Sequence, residues 1–296
     1  MSNLLTYLKR FFGNSQPASS AVPNFSEAGS EVEQAVQYPG VFGRIHKNDT
    51  MIGGTSTEML KVYNRIGDGA YRLILHGLSL TNRQPEDIQS LLDFGCGYGR
   101  VNRVLAQNFD PQKISVFDID QTAASFCAKE FGVKAIKFNQ NWDWHEAPFE
   151  TYDLIWVGSV FTHLSKPHTN EMLGFLATLL QENGVLIFTT HGEEAIQRLA
   201  SGFFGEQFQA YLAEVRDNYD KTGFHFIPYQ QPDLDILPFE HKKQQDFGMT
   251  WMSEAYVRKI MADITGGDLR LLEFKPKGWE GVQDAFFFER VKVSNR

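Results

Sequence analysis

Leu91-Leu92-Asp93-Phe94-Gly95-Cys96-Gly97-Tyr98-Gly99-Arg100 is the stretch on which the fold turns. An apolar strand carrying one acid runs into a loop with glycine at three alternate positions, and Arg100 to Asn108 can continue as a helix. Glycine reaches backbone angles that a Cβ blocks, and it lets a ligand lie close against the main chain. The spacing is GxGxG, not the GxGxxG of a dinucleotide fingerprint. The acid opposes a pyrophosphate and favours a cationic ligand.

Outward from this loop the pattern alternates strand and helix. Lys113 to Phe117 reads as a second strand ending in Asp118, and Gln121 to Phe131 as a helix stopped by Gly132. Lys134 to Phe138 is a third strand. Tyr152 to Val157 is a fourth, continuously apolar as a central parallel strand should be. Pro167 can open a helix that runs to Glu182, with Asn183-Gly184 as its stop, and Val185 to Thr190 is a fifth strand. After Gly192 the alternation breaks into an aromatic-rich insert, residues 193–250. It resumes at a helix from Ser253 to Ile264, and strands near Leu269 to Phe274 and Asp284 to Val291 close the chain as an antiparallel hairpin. The expected fold is α/β: a doubly wound, seven-stranded, mostly parallel sheet with an antiparallel last strand and N-terminal helices.

S-adenosylmethionine (SAM) carries an ammonium and a sulfonium and has no phosphate, so the glycine loop behind Asp93 reads as a SAM site. Asp118 lies at the end of the next strand, where an ionised carboxylate can accept both hydroxyls of a ribose. That feature alone does not separate SAM from NAD.

The whole chain bounds the alternatives. Its 296 residues suit one large domain with embellishments or two small ones, and 42% hydrophobic residues suffice for a core. A net charge of −8 without a basic block argues against a nucleic-acid binder. Two cysteines, Cys96 and Cys127, exclude a disulfide framework and suit a reducing cytoplasm. No apolar run approaches the ~18–20 residues of a membrane span. Residues 1–12 can form an amphipathic helix bearing Leu4, Leu5, Leu8, Phe11 and Phe12, read as a packing or partner-docking segment with membrane-surface contact as the alternative. Residues 1–30 read as this segment with a linker, 31–87 as a helical cap, and 88–296 as the ligand-binding domain. Within the cap a helix is expected from Ser56 to Gly77, with a break at Gly67 and Gly69.

The ordered set LLDFGCGYGR, VFDID, YDLIWVGSVFTHL and NGVLIFTTHG resembles the Rossmann-like, class I SAM-dependent methyltransferases over about Leu91 to Gly192. SVFTHL, TTHG, the stretch from Gly223-Phe224 to Pro228-Tyr229, FGMTWMSEAYV and Gln283-Asp284 are similar to bacterial methyltransferases found with glycan-assembly enzymes. The resemblance implies SAM as cofactor, held by Asp93, Gly95, Cys96, Gly97, Gly99 and Arg100 in the loop, and by Asp118, Ile119, Asn139 and Ser159 at later strand ends. Asn141, Trp142 and Asp143 are alternatives to Asn139.

His163 and His191 follow the fourth and fifth strands and are the candidate catalytic bases, since histidine titrates near neutrality and a hydroxyl acceptor sheds a proton as it attacks. The plainer reading of His163 is a packing histidine bonded to backbone. No metal is expected, because Gly158-Ser159 stands where metal-dependent relatives carry a carboxylate. The acceptor is a small molecule or a glycan, and the insert is a lid over it, with a small packed subdomain or a homodimer surface as the plainer reading. An NAD(P)-dependent oxidoreductase and a non-catalytic SAM-binding scaffold remain the rival readings.

Overall fold

Leu91–Phe94 is buried over its whole length, as its sequence requires of a strand covered on both faces. The computed structural model describes residues 35–137, 147–229 and 246–291. Ala35–Val36 (β1) and Ile45–His46 (β2) make a small antiparallel ribbon. Leu91–Phe94 (β3) then takes the centre of the main sheet. Ile114–Phe117 (β4) and Lys134–Ala135 (β5) lie to one side, and Tyr152–Val157 (β6) and Leu180–His191 (β7) to the other, all parallel. This register sets Asp93 between Val116 and Trp156.

The insert supplies Phe224–Pro228 (β8) and Gly248–Met252 (β9), an antiparallel pair. Leu269–Trp279 (β10) and Gln283–Arg290 (β11) close the chain, with β11 antiparallel to both β7 and β10. The seven expected strands run in the order β10-β11-β7-β6-β3-β4-β5. Among the described residues the sheet has nine strands, because β9 joins the carboxyl end of β7, Trp251 pairing with His191.

Alternation along the strands divides the core between two faces. Leu91, Leu154, Trp156, Val185, Ile187 and Phe287 pack under Thr57–Ser79 (α1), Asn102–Asn108 (α2) and Gln121–Phe131 (α3). Leu92, Phe94, Ile155, Val157, Phe188 and Phe286 pack under Lys166–Thr178 (α4) and under Glu254–Thr265, which follows the insert. Each such side chain contributes about 1.5–3 kcal/mol relative to exposure. The insert helices are Glu193–Ala200 (α5), Glu206–Gln209 (α6) and Leu212–Thr222 (α7), which makes Glu254–Thr265 α8.

Three local expectations change. The N-terminal helix does not break: α1 is continuous through Gly67 and Gly69. A Cβ at Gly67 would lie 2.6 Å from the Arg100 carbonyl oxygen, so this glycine lets α1 press against the exit of the glycine loop. The helix after Pro167 stops at Thr178, and Asn183-Gly184 falls inside β7 at a register break, with Asn183 at a φ of 60°. The third strand is only two residues long. The amphipathic segment at 1–12, the linker, Asn139 and its alternatives Asn141, Trp142 and Asp143 lie outside the described residues.

Candidate active site

The glycine loop leaves β3 and turns at once. Gly95 and Cys96 both donate backbone N–H to the Phe117 carbonyl, at 2.8 and 3.1 Å, tying the loop to the end of β4. Gly97 stands at a φ of 50°, and a Cβ there would meet nothing within 4 Å, so the loop presents bare backbone to open space. Gly95 is the opposite case: its Cβ would sit 2.4 Å from Val160 Cγ2. The thiols of Cys96 and Cys127 each donate to the Gly97 carbonyl at 3.4 Å. Burial pushes the Cys96 thiol well above its usual range, so it supports the loop as a neutral side chain. Arg100 turns away, its guanidinium 5.8 Å from the centre of the Trp279 ring.

Asp93 is 1% exposed. Burial raises its pKa to about 7; the Asn102 side chain, donating at 3.4 Å, opposes the rise, and the charge of Asp118 adds to it. The other amide atom of Asn102, Oδ1, is buried without a partner. Asp118 accepts the Gly97 N–H at 2.7 Å on one oxygen and the Asp120 N–H at 2.9 Å on the other. Burial lifts its pKa to about 6, against those two amides. Ile119 follows it, partly buried against the second face of the sheet.

One residue that sequence reasoning missed, His46, covers the loop from the N-terminal side. His46 stacks on Tyr98 with ring centres 4.5 Å apart, and the Tyr98 hydroxyl donates to Asp120 at 2.9 Å. Nothing in the spacing of the sequence joins position 46 to position 98.

At the end of β6 Ser159 adopts a φ of 62°, which costs a non-glycine residue about 1–2 kcal/mol. Its amide donates to Thr189 Oγ1 at 2.8 Å, and its hydroxyl receives the Gln283 amide at 2.9 Å and meets Thr162 Oγ1 at 3.0 Å. Thr189 in turn donates to Gln283 at 2.6 Å. This network fixes the turn after β6 to β7 and β11. In the sequence Gln283 reads only as half of a late Gln-Asp pair.

His163 lies on the next turn. Its Nδ1 is 3.2 Å from the Gly248 carbonyl and 2.7 Å from the Tyr229 hydroxyl. Burial lowers its pKa to about 4. His191 ends β7 fully buried, 6.4 Å from the His163 ring and 5.0 Å from Phe204. Burial first, then the neighbouring His163, lowers its pKa to about 3, with the Thr250 backbone acting the other way. Neither of its ring nitrogens makes a hydrogen bond of normal geometry.

An acid at the end of β3, bare backbone beside it and a second acid at the end of β4 together suit a ligand with a cationic group and a diol. Residues 92–186 match the family described as methyltransferase domain. Residues 92–186 are a class I SAM-dependent methyltransferase domain. The residues of the cradle fit such a cofactor: Asp93 is a buried acid short of a counter-charge, and Gly97 is open where a Cβ would stand.

Among curated relatives, the chain is similar to malonyl-[acyl-carrier protein] O-methyltransferases. The one from Halalkalibacterium halodurans is 28% identical over 123 residues, 40% of this chain and 45% of the relative. That from Paenibacillus sp. is 29% identical over 131 residues, 42% and 46% of the two chains. The chain therefore spans about half the length of these relatives. Among solved structures, the plantazolicin methyltransferase BpumL in complex with SAH is 13% identical, with a TM-score of 0.49 over 79% of this chain and 86% of that one. The matched region ends five residues before His191. No described helix is long and apolar enough to cross a membrane.

Proposed function

We propose that this chain is an O-methyltransferase that uses SAM to methylate an oxygen of a small polar acceptor, with sugars the leading class and a nitrogen acceptor less favoured. The observation that carries the reading is the rim formed by Asp93, the glycine loop and Asp118: a buried acid beside bare backbone, hydrogen-bonded to a second acid at the end of the next strand. The curated relatives, named as O-methyltransferases, support oxygen as the acceptor atom.

When bound, SAM supplies an activated methyl group. In this reading Asp93 orients the cofactor's ammonium and Asp118 accepts its ribose hydroxyls, exchanging the Gly97 amide for them. Ser159, locked at its turn, presents backbone beside the methionine half. His163 or His191 takes the acceptor proton. Both are neutral at physiological pH and so have a lone pair available, and the low basicity caused by burial makes either a modest base. Residues 31–87 serve as a cap and 193–250 as a lid that excludes water and aligns the acceptor. Two unpaired cysteines suit a reducing, cytoplasmic setting.

The test is transfer of isotope-labelled methyl from SAM over a panel of sugars, other alcohols and malonyl thioesters. Label in a base-stable methyl ether supports the reading. Label only in a base-labile methyl ester moves the acceptor to a carboxylate. Calorimetric titration that detects NAD binding and no SAM binding would sink it altogether.

A further inference from the structure

Resting on the methyltransferase reading, we infer that a row of three residues across the insert hairpin, His191, Trp251 and His225, is where the acceptor is recognised, and that it takes an uncharged, hydroxyl-bearing ring. Register makes the row. Trp251 is the parallel partner of His191 and the antiparallel partner of His225, so all three side chains leave the same face of adjacent strands. Their rings stand 6.1 Å (His191 to Trp251) and 6.4 Å (His225 to Trp251) apart. His191 and Trp251 are fully buried and His225 is 8% exposed.

Along this row His191 Nδ1, His191 Nε2, Trp251 Nε1 and His225 Nε2 are buried without a hydrogen bond of normal geometry, the Thr250 backbone beside the His191 ring making only a poor one. Glu214 comes no closer than 3.8 Å to His225 Nε2. Buried polar atoms are nearly always paired, so several in one contiguous row point to a missing partner.

The donor inventory selects its chemistry. Indole N–H only donates, while a neutral imidazole donates from one nitrogen and accepts at the other. A hydroxyl does both and can serve every member of the row. An ammonium only donates and leaves Trp251 unmet. A carboxylate only accepts, and it would be buried against histidines that burial keeps neutral. Among the described residues, two cations of the insert and the closing hairpin are engaged by acids, Arg216 by Glu193 at 2.7 Å and Lys277 by Glu194 at 2.6 Å. Phe204, 5.0 Å from His191 and edge-on to Trp251 at 6.3 Å, adds an apolar wall of the kind that suits the C–H face of a sugar ring. The row also lies beside His163, one turn beyond Ser159 at the cofactor rim.

The test uses the full chain saturated with S-adenosylhomocysteine and two probes that differ in one charge, methyl β-D-glucopyranoside and methyl β-D-glucuronide, read by saturation-transfer NMR. The glucoside should bind about tenfold more tightly than the glucuronide. Trp251→Phe, which keeps the ring and removes the donor, should weaken the glucoside about fivefold with the affinity for SAM unchanged. His191→Phe should act in the same direction. Equal binding of the two probes, preference for the glucuronide, binding of neither, or no effect of Trp251→Phe overturns the inference. Calorimetry with SAM on the same samples separates the two levels. SAM binding with failed probes removes this inference alone, while no SAM binding removes the methyltransferase reading beneath it.

Discussion

Gly97 donates its backbone N–H to Asp118 Oδ2 at 2.7 Å, so the glycine loop and the end of β4 form one hydrogen-bonded rim. The same carboxylate also holds the Asp120 amide at 2.9 Å. A side chain that already organises two backbone donors is set to exchange one of them for a ligand hydroxyl with little rearrangement. Asp118→Ala should weaken SAM binding by roughly 10- to 100-fold, the range expected for charge-assisted hydrogen bonds. Calorimetric titration measures it. An affinity within twofold of the parent would remove Asp118 from the site.

Two glycines of the loop should respond to alanine in different ways. At Gly97 the new Cβ meets nothing, so the cost to folding is about 1–2 kcal/mol from the positive φ, and the larger loss falls on SAM affinity because the methyl group occupies the approach to the backbone. At Gly95 the Cβ would sit 2.4 Å from Val160 Cγ2, so Gly95→Ala should lower the melting temperature more than Gly97→Ala. Thermal unfolding and SAM titration on both variants decide it; the reverse order of melting temperatures would contradict the loop geometry.

The sheet and the rim were legible in the sequence because both are local. The strand endings at Asp93 and Asp118, the glycine spacing and the apolar fourth strand each declare themselves within about ten residues. What completes the site is long-range. Gln283 reaches Ser159 across 124 positions, and His46 reaches Tyr98 from a ribbon that no periodicity predicts. The positive φ of Ser159 is invisible in its own sequence context, since it is sustained by Thr189, Thr162 and Gln283. Gly67 reads as a helix breaker in one dimension and becomes a packing position only once Arg100 lies against it.

Asp93 and Asp118 make stability fall with pH. Their folded-state pKa values, about 7 and about 6, exceed the unfolded value of 3.8, so between about pH 4 and 7 the unfolded chain binds fewer protons than the folded one. Without ligand, stability should therefore decline as pH rises through that window and level off above it, with Asp93 alone accounting for roughly 4 kcal/mol of the decline. Asp93→Asn should flatten much of the slope and stabilise the protein at pH 8, while weakening SAM binding. Denaturant unfolding at pH 5 and pH 8 measures the slope. A cationic group placed beside Asp93 lowers its pKa again, so SAM binding near pH 6.5 should release protons, seen as a binding enthalpy that varies with the ionisation enthalpy of the buffer. A slope of opposite sign would show that neither acid is held protonated by burial.

His163 and His191 are neutral above about pH 5, their pKa values being lowered to about 4 and about 3. If either is the base, turnover should show no histidine limb between pH 5 and 8, and an acidic limb near pH 6 to 7 would report Asp93 or Asp118 instead. Alanine at the catalytic histidine should reduce turnover by about 100-fold or more with SAM affinity changed far less. Steady-state kinetics with SAM titration separates the two effects. If neither substitution slows methyl transfer, the proton leaves by another route.

Gln283 joins three elements at once, receiving the Thr189 hydroxyl at 2.6 Å and donating to Ser159 at 2.9 Å. Gln283→Leu removes both bonds and leaves the buried Thr189 hydroxyl and the partly buried Ser159 hydroxyl beside an apolar side chain, at a cost of about 2–4 kcal/mol. The loss should fall on the turn as well as on global stability. Without its anchor Ser159 is free to leave the left-handed region, which would move the backbone at the end of β6 away from the cofactor rim. The expected result is a lower melting temperature together with weakened SAM binding, although Gln283 itself lies on β11 rather than on the glycine loop. Ser159→Gly tests the same coupling from the other side: it relieves the strain but forfeits the hydroxyl, so it should restore little of the lost affinity when combined with Gln283→Leu. Full recovery in the double variant would mean that the strained φ, and not the hydrogen-bond network, limits binding.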